Sequence, residues 1–122
     1  MIKLSITRES LLRGTTVTPG WYKMEVKSVI QTAAKTDGSD MIKLVFCIVE
    51  GKFEGVPIDQ YFSEKAPGFA VPFIEAIQGR KVNPDGEEFD MALSQGRLLM
   101  GYVKNDEYQG RLTNKVADFR AV

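Results

Sequence analysis

Residues 21–31 read WYKMEVKSVIQ, and their alternation decides the fold class. Tyr22, Met24, Val26 and Ile30 fall on one side of an extended chain, and Lys23, Glu25, Lys27 and Gln31 fall on the other. This is the period-two pattern of a long half-buried strand. Downstream, KTDGSD (35–40) supplies turn residues, and MIKLVFCIVE (41–50) is apolar on both faces except at Lys43, as suits a central strand. EGKFEG (50–55) turns into a third strand over about Val56 to Ser63.

The segment APGFAVPFIEAIQG (66–79) carries Ala70, Phe73, Ile74 and Ile77 at helical spacing, with Pro72 in the first turn and Gly79 as the stop. An acidic turn, NPDGEEFD (83–90), leads to two further strands, RLLMGYVK (97–104) and YQGRLTNKVADF (108–119), joined by NDE (105–107) as a short loop. Upstream of the first strand, Met1 to Pro19 reads as an arm. Within it ITRESLLRG makes one short helix, with Thr7 as N-cap and Gly14 as stop.

The pattern therefore predicts a mainly β chain: an N-terminal arm over 1–19 and a single domain over 20–122. Three strands, one helix and two strands fit an OB-fold-like five-stranded barrel with the helix between strands 3 and 4. An open sheet with a packed helix is the alternative, and a long first strand bending at Ser28 favours the barrel.

Composition narrows the chemistry. The 122 residues carry 16 basic and 16 acidic side chains, one cysteine and no histidine. Without histidine the commonest general base, the usual partner of a nucleophilic serine or cysteine and the usual zinc ligand are missing. Cys47 sits in an apolar run, where a thiol acts as a small buried hydrophobe. No run of eighteen apolar residues and no long apolar leader occurs, so a cytoplasmic protein with no membrane association is expected. Two E-x-K triplets, Glu25 to Lys27 and Glu50 to Lys52, are the weak trace of a metal nuclease. Aligning NPDGEEFD on a calcium loop puts Lys81 and Ala92 where carboxylates belong, so a solvated turn is the better reading. No cofactor and no catalysis are implied.

Aromatic and basic residues on the strands are the remaining signal. A single-stranded nucleic acid offers base faces for stacking and a charged backbone for Lys and Arg. The expected binding set is Trp21, Lys23 and Lys27 on the first strand, Lys43 on the second and Tyr61 on the third. Arg97, Tyr102 and Lys104 follow on the fourth, with Tyr108, Arg111 and Lys115 on the last. Tyr102 shares its parity with Leu98 and Met100, which would carry it inward, and Tyr108 shares a face with Arg111 and Lys115 only if a bulge intervenes near Gly110. Aromatics that complete a core and lysines that solubilise a sheet are the plain alternative. Charge is nonetheless segregated: Arg97 to Arg120 holds five basic and three acidic residues, Arg80 to Asp90 two and four.

Across PGWY (19–22), the EG.F.G turn (50–55) and the final Y.G...N.V..F strand (108–119), nearly the whole chain resembles a family of small bacteriophage and prophage proteins found among recombination and replication genes. The resemblance implies an OB-type barrel that binds single-stranded DNA, with phage recombinase or replication proteins as partners. It puts Tyr108, Gly110, Arg111 and Asn114 at pattern positions. The ending VADFRAV lacks the acidic tail through which related binders recruit partners, which turns attention to Ile6, Leu11 and Leu12 of the arm for a protein contact, a homo-oligomer included. The rival function is a protein-interaction module on the same barrel.

Overall fold

The computed structural model describes residues 2–34 and 37–122; Met1 of the arm and Lys35 and Thr36 of the expected turn lie outside the described residues. Strand β1 (Gly20–Ala33) carries more information than its alternation suggested. Its register against β2 (Asp40–Ile48) runs Val26↔Phe46 and then Ser28↔Val45, so Lys27 is the extra residue of a bulge. The bulge reverses the parity of the strand. Val29, paired with Leu44, packs on the core, whereas Ile30, assigned to the core face by simple alternation, points outward and is 47% exposed.

With β3 (Pro57–Ser63), β4 (Leu98–Tyr108) and β5 (Arg111–Arg120), the sheet has the order β3-β2-β1-β4-β5, with every neighbouring pair antiparallel. It is an open sheet and not the expected barrel, because β3 and β5 remain unpaired edges. The physical reason lies in the aromatic core. Phe119 of β5 curls to within 6.4 Å of Phe62 of β3, and Phe73 meets both rings at 5.5 and 5.8 Å. Side chains, not a backbone ladder, bridge the two edges. Burial of each large side chain in this cluster contributes about 1.5–3 kcal/mol.

The short helix expected in the arm is present, and the helix expected over 66–79 is regular only in its second part. Phe73 is supplied by α2 (Val71–Gln78), which starts after a separate 3₁₀ turn at Pro67–Ala70 and ends at Gly79, whose φ of 71° sits in the left-handed region. A further 3₁₀ turn, not expected, covers Met91–Ser94, and the expected arm helix is α1 (Arg8–Arg13), running from the Thr7 N-cap to the Gly14 C-cap. Thr7 and Ser10 cap α1 reciprocally, each side chain accepting from the other's backbone N–H.

The arm is fastened to the sheet. Val17 is fully buried, its N–H donates to Asn114 Oδ1 at 2.9 Å and its carbonyl accepts from Asn105 Nδ2 at 3.0 Å. Asn114 Nδ2 reaches the Thr15 carbonyl at 2.8 Å. Asn114, at a pattern position of the resemblance, therefore has a structural task.

Gly101 makes the core tight at the other strands. A Cβ there would stand 2.7 Å from Met24 Sδ and 2.9 Å from Val116 Cγ1, so only hydrogen lets these side chains meet across β4.

Candidate nucleic-acid interface

The segment expected to be a loop, Asn105 to Glu107, is strand. The reversal falls at Gln109 and Gly110, with φ of 50° and 78°, and β4 runs on to Tyr108 before β5 begins at Arg111. Two positive-φ residues between paired strands make the tight hairpin whose twist matches the strands beside it. Tyr108 and Arg111 thus lie directly opposite one another, as do Lys104 and Lys115. All four share the outer face without any bulge near Gly110. Residues 104–108 and 111–115 pair only with each other, since the β1 ladder with β4 ends at Gly20↔Val103. The result is a two-stranded ribbon projecting past the sheet.

Where the ribbon joins the sheet, a bulge does occur, but at Ala117: Tyr102 pairs with Asp118 and Val103 with Val116. It turns Phe119 into the core and Arg120 outward. Tyr102 faces outward opposite Trp21, and Leu98 and Met100 share that outward parity while Leu99, Gly101 and Val103 face the core. The Trp21 and Tyr102 rings meet edge to face at 5.4 Å, and the Arg120 guanidinium lies over Trp21 at 4.1 Å. Lys23 occupies the next row, opposite Met100, which in turn faces Arg120.

Most of the expected residues divide into two groups on the outer face. Trp21, Lys23, Tyr102, Lys104, Tyr108, Arg111 and Lys115 follow β1, β4 and β5. Lys43 and Tyr61 form a separate pair on β2 and β3, in the row of Ile30, nine residues and about 30 Å along β1 from Trp21. Lys43 stands 6.0 Å from the Tyr61 ring centre and 3.8 Å from Asp59, which also accepts from Arg13 of α1 at 2.8 Å. Donating this hydrogen bond to Asp59 raises the Arg13 pKa above its ordinary value.

Two expected residues belong to neither group. Arg97 precedes β4 and donates to the Ile77 carbonyl at 3.1 Å, closing the last turn of α2. Lys27 is the exposed bulge residue. Arg120 and Met100 were missed, because only the Ala117 bulge brings Arg120 outward. The opposed parities of Val116 and Phe119, both apolar, are the signal from which that bulge follows.

The charge of the larger group is uneven. Lys115 pairs with Asp106 at 2.8 Å. Among the described residues, Lys23, Lys104, Arg111 and Arg120 have no carboxylate within 4.0 Å. Unpaired cations beside an exposed ring, Tyr108, and two half-buried ones, Trp21 and Tyr102, can hold an anionic polymer while stacking its bases. No group of three or more His, Cys, Asp or Glu among the described residues is arranged to hold a metal ion, and no helix there is long and apolar enough to cross a membrane. Comparison of the sequence with protein-family models and with curated proteins finds no match.

Proposed function

We propose that this chain binds single-stranded DNA without sequence preference, along the outer face of the β4–β5 ribbon and the adjoining start of β1, in the replication or recombination of phage DNA in the host cytoplasm. The observation that carries the reading is one continuous face. It runs from Trp21, Tyr102 and Arg120, through Lys104 and Lys115, to Tyr108 and Arg111. Rings along it stack bases, each worth about 1–3 kcal/mol, and the cations follow the phosphates. The curled sheet is read as an OB-type sheet left open between β3 and β5, and partly open barrels of that type bind oligonucleotides. Phage recombinase or replication proteins would act on the strand so held.

Fluorescence anisotropy of a labelled oligothymidine of about thirty bases, with its duplex as control and EDTA present, tests the proposal. Preference for the single strand is expected, with log affinity falling by about 0.7 for each phosphate neutralised per decade of salt. Equal or absent binding to both forms sinks the proposal. One observation favours a second reading, a protein-interaction module: a groove of the described residues is lined by Asp40, Glu64, Glu87 and Asp90 and by no Lys or Arg. That reading predicts no salt-dependent oligonucleotide binding.

A further inference from the structure

The same groove lies on the concave side of the sheet, remote in character from the cationic ribbon. Its volume is about 780 Å³, and Val29, Ile42 and Phe62 face Ile74, Phe89 and Met91 across it. Among the described residues four carboxylates and no Lys or Arg line it; Glu87 is held by Arg80 at 2.9 Å, and Asp40, Glu64 and Asp90 leave it with an acidic rim that suits an apolar segment bearing positive charge.

One segment of the chain has that chemistry. Ile2, Leu4 and Ile6 are 92%, 85% and 72% exposed, and they alternate with Lys3, Ser5 and Thr7 in a stretch without regular structure that precedes α1. Alternation at period two places the three apolar side chains on one side of an extended chain. Lys3 and Arg8 are its only charges before Glu9. Meanwhile α1 is held at the opposite end of β3 from the groove. Arg13 bonds Asp59, and Leu12 lies 3.1 Å from where a Gly55 Cβ would be, whereas the groove takes Phe62, Ser63 and Glu64.

We infer that residues 2–6 of one copy dock in the acid-rimmed groove of a second copy, with Ile2, Leu4 and Ile6 inserted and Lys3 facing the carboxylates. The apolar, anionic groove and the apolar, cationic segment are complementary surfaces of a single chain, and its zero formal net charge leaves no long-range repulsion between copies. This contact is independent of strand binding, because it uses the other face of the sheet.

Sedimentation equilibrium of the full chain, at several concentrations and two salt levels, tests the inference. Wild type is expected to self-associate, and Leu4→Asp, at an exposed position that leaves thermal unfolding unchanged, is expected to weaken association roughly tenfold or more. A groove variant, Asp40→Lys with Glu64→Lys, should be equally defective alone. Mixing the two variants restores one intact arm and one intact groove, so a heterodimer should form. A monomeric wild type, whether its arm is free or folded into its own groove, overturns the inference. So does association that Leu4→Asp leaves unchanged, or a mixture that stays monomeric.

Discussion

The Arg120 guanidinium lies 4.1 Å from the centre of the Trp21 ring, and Trp21 meets the edge of Tyr102 at 5.4 Å. Trp21 is the only tryptophan, so its emission reports this corner alone. Binding of an unlabelled oligothymidine is expected to quench it. Arg120→Ala should lower affinity by about 0.5–1 kcal/mol and reduce the salt slope by about 0.7. Full affinity with an unchanged slope in Arg120→Ala would remove this residue from the interface.

Gly101→Ala tests the packing of β4. The added methyl meets Met24, which is flexible, and Val116, which is not. A loss of about 1–3 kcal/mol is expected, read as a lower urea midpoint at unchanged slope. A midpoint equal to wild type would mean that the strands separate freely at this point.

The hairpin turn carries a conformational penalty at Gln109, a non-glycine residue with φ of 50°. Asparagine is the preferred residue ahead of glycine in such a turn. Gln109→Asn should therefore raise stability by a few tenths of a kcal/mol, up to about 1. The melting temperature is the readout, and a decrease would contradict the turn geometry.

Acid titration addresses the β1–β2 connection. Lys65 donates a hydrogen bond to Asp37, and together with bonds from Ser39 this lowers the Asp37 pKa from 3.8 to about 2. A depressed carboxylate favours the fold above its unfolded value, and that contribution disappears as pH falls through about 2. Carbon NMR of the Asp37 carboxyl should give a midpoint near 2, returning toward 3.8 in Lys65→Met. An ordinary midpoint in wild type would show that the pair does not persist in solution.

Strand content was legible wherever alternation ran unbroken, as from Tyr22 to Val26 and from Leu98 to Val103. The errors arose where one residue was added to or removed from a ladder. At Lys27 and Ala117 an extra residue exchanges the two faces, which misassigned Ile30 and hid Arg120. Local sequence contains the reason in retrospect: Val26 with Val29, and Val116 with Phe119, are apolar pairs at opposed parity. Treating NDE as a loop had another cause. Polar residues in a ribbon that projects past the sheet look the same as residues in a turn, and only the positive φ values at Gln109 and Gly110 locate the reversal. The separation of Arg97 from the two groups was not legible because its partner, the Ile77 carbonyl, is twenty residues away and offers no side-chain signal.

Asn105 and Asn114 face the arm from the inner side of the same ribbon whose outer side bears Lys104 and Lys115. Anchoring and the proposed strand contact thus fall on alternating residues, and no side chain is assigned to both. The outer positions form a set that protein engineering can rewrite, in charge or ring content, while the asparagines keep the N-terminal segment in place.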